Sequence, residues 1–177
     1  FVPIFVHSMV DDRSNKFKTT FKVMGLQPLP YVIGQALSFS AIAGISMALF
    51  TLFITCYVLR QDPLVFDSFF KALIPISILM APLIATFSIV LSFLFSTAKS
   101  AKDLSLLFSV GLIGLSINSI LNVRFLFLRW ISPFYPPMRL FTLTLFGRIS
   151  PENYGLNDEL TPILFQTGLY MLLGCYL

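Results

Sequence analysis

Charged residues, histidine and cysteine are all scarce in this chain. Of its 177 residues only 11% are charged and one is His, whereas 56% are hydrophobic and the mean hydropathy is +0.86. Soluble domains contain about a quarter charged residues, so the composition excludes an ordinary soluble domain. His7 lies in an apolar stretch without a metal-ligand pattern, which argues against a metal site. Cys56 and Cys175 fall inside apolar runs and are predicted to be packing residues rather than a disulfide.

Long charge-free runs take the place of the missing polar sequence. About 20 apolar residues span a bilayer as a helix, whereas the strands of a membrane barrel alternate apolar and polar residues over about ten positions. The runs here are longer and apolar on all sides, so we predict an all-α, polytopic helical membrane protein. Residues 1–10 are predicted to be the end of an earlier span, and the chain is expected to be a fragment of a longer protein. The remaining spans are predicted at 31–59, 72–98, 104–123 and, truncated, 160–177.

The most informative polar segment is 11–25. Asp12 or Ser14 is predicted to cap a helix that Gly25 ends. This helix, residues 12–24, has one apolar face formed by Phe17, Phe21 and Met24, and its other faces contain Lys16, Lys18 and Lys22. The pattern indicates an amphipathic helix beside a membrane. It fits a basic helix resting on headgroups, a solvated connector, a charge run that sets topology, or a helix that docks onto a cytoplasmic partner and transmits its movement.

Polar and small residues mark the remaining segments. Residues 27–31, with Pro28 and Pro30, are predicted to form a turn before the span at 31–59, whose small side chains favour close helix packing over the lining of a ligand path. Residues 60–71, with Asp62-Pro63, are predicted to be a polar connection, and Lys99, Lys102 and Asp103 a tight turn between spans. Residues 129–149 contain prolines and interface aromatics, which predicts a re-entrant or surface-lying helical segment between two spans.

Four polar residues near the end of the span at 104–123 are candidate site residues. Polar side chains at membrane depth face other protein or a wet cavity. Interhelical hydrogen bonds and the lining of a substrate path are therefore both open for Ser116, Asn118, Ser119 and Asn122. The twelve Lys and Arg residues divide equally between the two sides of the membrane, so charge bias does not fix orientation, although the cluster at 13–22 favours its side as cytoplasmic.

The order of these segments resembles the transmembrane domain of A-subfamily ABC transporters. The resemblance lies in the run KFKTTFKVMGL at 16–26, where a charged helix ends in Met-Gly-Leu before the next span. It continues in FLFSTAKSAK at 93–102 and in SPFYPP at 132–137, and it covers the chain in order. The start of the charged helix, Asp11-Asp12-Arg13, departs from the acidic pattern common in the family, and Tyr31 stands in place of the usual Trp pair.

The resemblance implies a type V exporter fold, in which residues 129–149 would be the pair of short re-entrant outer helices, and it implies a mechanism. Residues 12–24 would be the coupling helix that touches a nucleotide-binding domain, through Arg13, Lys16, Phe17, Lys18, Phe21, Lys22, Met24 and Gly25. The implied partners are membrane lipids, a nucleotide-binding domain in cis and a second transmembrane half, and the implied cargo is lipid or another amphipath. The chain contains no G-x-x-x-x-G-K-[ST] run, so ATP and Mg would bind in a domain outside it, and no catalytic, cofactor or metal site is expected here.

Two other function classes compete with a transporter domain of this kind. A channel or secondary carrier subunit is the main alternative, but such proteins usually place ionisable residues inside spans, and the four apolar runs contain none. A membrane-embedded enzyme would need a nucleophile with a base or a carboxylate pair, which one His does not supply. The net charge of +4 is spread over membrane edges, where anionic headgroups rather than nucleic acid are the expected neighbours.

Overall fold

The computed structural model describes residues 1–15, 23, 25, 28–58, 63–122, 127–139 and 156–176. These residues form helices and short turns, which confirms the predicted all-α class for the part of the chain that is described. The helices are α1 (Val2–Ser14), α2 (Pro28–Val58), α3 (Pro63–Ser92), α4 (Ala98–Asn122), α5 (Leu128–Ile131) and α6 (Leu156–Tyr176). Residues 135–139 are also helical.

The described parts of the turn predicted at 27–31 and of the connection predicted at 60–71 belong to helices instead. Helix α2 begins at Pro28, within the turn predicted at 27–31. Helix α3 begins at Pro63, within the connection predicted at 60–71. Proline is well suited to the first helical position, because its fixed φ is helical and the N–H that it lacks has no partner there. The prolines that suggested a turn therefore start helices.

The turn between α3 and α4 lies earlier than predicted. Helix α3 ends at Ser92, and the turn occupies residues 93–97, whereas Lys99, Lys102 and Asp103 lie in the first turns of α4. The Ala101 N–H donates to the Thr97 carbonyl at 3.0 Å, and the Thr97 hydroxyl contacts the Ser100 hydroxyl. Thr97 thus occupies the position before the helix, where hydroxyl residues are preferred.

Helix α3 is the central helix of the described bundle. It contacts α1, α2 and α6, while α1 also contacts α4 and α6 contacts α5. From Met80 to Ser92 almost every side chain of α3 is buried, and Leu83 and Ile89 are among the largest fully buried side chains. A helix that is apolar all round and covered on several sides forms the centre of a bundle.

Helix α4 has the opposite arrangement to a helix on the surface of a soluble protein. Its buried face consists of small residues, which let neighbouring helices approach closely. Its large apolar residues, such as Leu107 and Val110, are exposed. The hydroxyls of the buried face are satisfied within the helix: Ser109 donates to the Ser105 carbonyl at 2.7 Å, and Ser116 donates to the Leu112 carbonyl at 2.7 Å. The small buried residues are Ala101, Ser105, Ser109, Ser116 and Ser119.

Within the described part of the chain, two helical stretches are long and apolar enough to cross a membrane, judged by length and composition: Pro30–Phe50 and Ala98–Ile120. Only 17% of the apolar stretch of the first and 22% of that of the second is buried, whereas the core helix of a soluble protein is mostly buried. Shorter apolar helices lie at Ile78–Ser92 and Leu160–Tyr176. An exposed apolar surface of this extent fits lipid as the surrounding solvent.

The segment after α4 is held onto α6 by hydrogen bonds to its backbone. Gln166, which is fully buried, donates from Nε2 to the Arg129 carbonyl at 2.7 Å and to the Ser132 carbonyl at 3.4 Å. The Tyr170 hydroxyl donates to the Ile131 carbonyl. Backbone at membrane depth that is not in a long helix needs such partners from the protein.

We expect Gly44→Leu to loosen the packing of α2 on α3. A Cβ at Gly44 would lie 3.5 Å from the Ala81 Cβ, so the larger side chain overlaps α3. Overpacking of a filled interface costs about 1–3 kcal/mol. Gly34→Leu on the same helix is the matched control, because a Cβ at Gly34 meets nothing within 4 Å. Thermal unfolding of the purified protein in detergent measures both, and equal melting temperatures would contradict the packing described here.

We expect Tyr170→Phe to destabilise the protein by about 1 kcal/mol, the usual net value of one hydrogen bond. The change removes the hydroxyl that donates to Ile131 and keeps the ring against Phe87, whose centroid is 5.4 Å away. Tyr176→Phe is the control on the same helix, since Tyr176 is 89% exposed. Denaturant titration in micelles compares the two, and a loss of stability in Tyr176→Phe as large as in Tyr170→Phe would exclude this role for the hydroxyl.

Candidate functional site

Most of the predicted coupling helix lies outside the described residues. This holds for Lys16, Phe17, Lys18, Phe21, Lys22 and Met24. Helix α1 continues to Ser14, so Asp12 and Arg13 form its last turn rather than the start of a new helix. Val23 is helical and exposed, and Gly25 has φ +80°, a left-handed conformation that glycine adopts without strain after a helix.

Asp12 joins the end of α1 to the beginning of α2. Its Oδ2 accepts a hydrogen bond from the Tyr31 hydroxyl at 3.1 Å and another from the Gln35 Nε2 at 3.3 Å. Tyr31 and Gln35 are four residues apart and therefore share one face of α2. Because the acceptor is a carboxylate, these hydrogen bonds are stronger than bonds between neutral groups.

Arg13 joins the same turn of α1 to the end of α3. Its Nη1 donates to the Ser92 carbonyl and its Nη2 to the Ser92 Oγ, each at 3.4 Å. The guanidinium carbon also lies 4.4 Å from the centroid of the Phe93 ring, within the range of a cation–π interaction. The carbonyls of the last helical turn lack partners within the helix and form the negative end of its dipole, so a cation here stabilises the end of α3.

The environment of Arg13 does not remove its charge. Partial burial lowers the pKa of the Arg13 guanidinium below its ordinary value. Because the ordinary pKa of arginine lies far above neutrality, the side chain stays cationic at neutral pH. We name the five residues Asp12, Arg13, Tyr31, Gln35 and Ser92 the polar end cluster. It connects three helices beside the segment that contains the predicted coupling helix.

The second predicted set, on α4, is distributed over different surroundings. Ser116 is fully buried, and its Oγ lies 2.9 Å from the Ser132 Oγ on the segment after α5. Ser119 is buried, whereas Asn118 is exposed. Asn122 ends α4, but its side chain lies outside the described part of the chain. The structure therefore brings Ser116 against Ser132 and places Asn118 on the outer surface of the helix.

Sequence reasoning missed three polar residues that contact other helices: Gln35, Ser92 and Gln166. Gln35 follows Tyr31 by four residues in an otherwise apolar run, a spacing that would have indicated a polar face on α2. Gln166 is the one amide in the apolar stretch Leu160–Tyr176, which is itself a signal of an internal contact. Its Nε2 has two partners, while its Oε1 is buried with no hydrogen-bond partner among the described residues. Nothing in the sequence pairs Ser92 with Arg13, because they are 79 positions apart.

Comparison with known proteins identifies one family. A family model described as "ABC-2 family transporter protein" matches residues 1–176. No curated protein and no solved structure matches the chain. The family's membrane domain pairs with nucleotide-binding domains and contains neither a catalytic site nor a cofactor site of its own. Because the match covers nearly the whole chain, this protein belongs to the ABC-2 transporter family and is an integral membrane component of an ABC transporter.

Proposed function

We propose that this chain is part of an A-subfamily ABC exporter that moves lipids or other amphipathic molecules, driven by ATP hydrolysis in a nucleotide-binding domain of the same polypeptide. The transporter family is given by the match over residues 1–176. The observation that supports the A subfamily is the run KFKTTFKVMGL at 16–26, placed between α1 and α2. A second transmembrane half would complete the transport path.

The surface of α2 supports an amphipathic cargo. Large apolar side chains are exposed along this helix, including Leu37, Ile45, Leu49 and Phe53. Two of the described serines of this helix bond to their own backbone: Ser38 donates to the Gln35 carbonyl at 3.0 Å and Ser46 to the Ile42 carbonyl at 2.8 Å. A molecule with a long apolar part can approach such a surface from the bilayer without leaving an apolar environment. A small hydrophilic solute gains nothing from it.

The coupling helix is predicted at 12–24, and because residues 12–14 belong to α1, its docking part is proposed at residues 16–24. Their apolar face, formed by Phe17, Phe21 and Met24, would pack into a groove on the nucleotide-binding domain, and Lys16, Lys18 and Lys22 would lie around it. Amphipathic helices bind partners in this way, with anchors at steps of three and four residues. The position of α1 and α2 on either side of the segment supports this role, since movement of the helix would act on both.

The proposal is tested with the full-length protein in liposomes that contain a fluorescent phospholipid. We expect ATP hydrolysis and movement of the phospholipid between leaflets, and we expect both to stop when the P-loop lysine of the nucleotide-binding domain is replaced. Quenching of the outer leaflet measures the movement. Phospholipid movement that continues without ATP, or ATP-driven transport of a hydrophilic solute alone, would contradict the proposed function.

We expect Phe21→Asp to uncouple the transporter. A carboxylate on the apolar face cannot enter a partner groove without losing its hydration, so contact with the nucleotide-binding domain weakens. The change should abolish lipid stimulation of ATP hydrolysis, measured in the same liposomes. Thr19→Asp places the same charge on the opposite face of the predicted helix and should preserve the stimulation. Equal effects of the two changes would exclude a docking face at Phe21.

A further inference from the structure

The last turn of α1 contacts two different helices through two consecutive residues. Asp12 contacts α2 and Arg13 contacts α3. Both residues stand in the last turn of α1, shortly before residues 16–24, the part proposed to dock onto the nucleotide-binding domain. We propose that Asp12 and Arg13 are positioning residues that pass a displacement of this segment to α2 and to α3 through separate contacts. The proposal rests on the proposed function and assigns the route by which the coupling helix acts.

The contact with α2 is made at the start of that helix. The Asp12 carboxylate is the common acceptor for Tyr31 and Gln35, one turn apart. Two donors on one helix that share one acceptor fix both the position and the rotation of that helix relative to α1. A shift of the last turn of α1 therefore cannot leave the first turns of α2 in place without breaking charge-assisted hydrogen bonds.

Arg13 contacts α3 at the C-terminal end of that helix, through hydrogen bonds and through an aromatic ring. The guanidinium of Arg13 bonds to Ser92 through the backbone carbonyl and the hydroxyl, and it also covers the Phe93 ring. The Ser92 hydroxyl in turn donates to the Ile89 carbonyl at 2.6 Å. Arg13 thus holds the end of α3 and the first residue of the following turn together.

Neighbouring polar residues of α1 do not share this arrangement. Successive residues of a helix point about 100° apart, so adjacent side chains reach different neighbours. Asp11 is exposed, and its carbonyl accepts the Ser14 hydroxyl at 2.9 Å within the same helix. Asp11 therefore offers the same charge as Asp12 one position away, and it is the natural control.

The experiment measures whether nucleotide moves α2 relative to α3. Spin labels are attached to cysteines at Ile33 on α2 and Leu94 after α3, both exposed, in the full-length transporter without its other cysteines. Their separation is measured by pulsed electron paramagnetic resonance, first without nucleotide and then with ATP plus vanadate. We expect ATP to change the separation, and we expect Asp12→Ala to remove most of this change while Asp11→Ala preserves it.

Arg13→Ala is expected to act like Asp12→Ala, and Lys102→Ala, which removes an exposed cation from α4, is its control. Asp12→Glu retains a carboxylate and should restore part of the change, which a general loss of folding would not allow. If ATP changes the separation in Asp12→Ala as much as in the unaltered transporter, the proposal is overturned. It is also overturned if ATP leaves the separation unchanged in the unaltered transporter. ATP hydrolysis without any change in separation overturns this inference alone, whereas absence of ATP hydrolysis in the unaltered transporter overturns the proposed function.

Discussion

Polar groups inside a bilayer must find their partners within the protein, and the architecture of this chain follows from that constraint. Lipid offers no hydrogen bonds, so each unsatisfied group costs several kcal/mol. Long helices satisfy the backbone, and the serines of α4 satisfy their hydroxyls on the carbonyls of the preceding turn, as Ser109 does on Ser105. Other polar side chains, such as Gln35 and Gln166, contact neighbouring helices or segments. The large apolar side chains are then free to face outward, which explains why α4 buries serine and exposes leucine.

The same constraint explains where the charged residues lie. Asp12 and Arg13 stand at the end of α1, where their side chains meet helix ends rather than helix centres. The donors of α2 and the terminal carbonyl of α3 are groups that otherwise need water or another partner. Asp12 and Arg13 therefore act in place of water, Asp12 at the start of α2 and Arg13 at the end of α3. The polar end cluster thus combines a stabilising role for three helices with a position next to the segment that links α1 to α2.

The sequence predicted the helical class because the apolar runs exceed the length of any barrel strand, and it predicted the membrane because those runs lack charge. Helix boundaries were less predictable. Pro28 and Pro63 suggested turns but begin helices, since the same residue breaks a helix interior and suits a helix start. The partners of Asp12, Arg13 and Gln166 could not be predicted, because each contact depends on how separate helices pack. Local periodicity contains no information on that packing, and so the polar end cluster emerged only from the structure.

Helix α3 connects the polar end cluster to the segment between α4 and α6. Ser92 contacts Arg13, and five residues earlier Phe87 lies 6.2 Å from the Phe134 ring and 5.4 Å from the Tyr170 ring, measured between centroids. At 1.5 Å per residue these two contacts are about 7.5 Å apart along the helix. Both contacts thus lie within two turns of one buried helical stretch. The same part of α3 therefore holds Arg13 at its end and packs against Tyr170, whose hydroxyl donates to the Ile131 carbonyl.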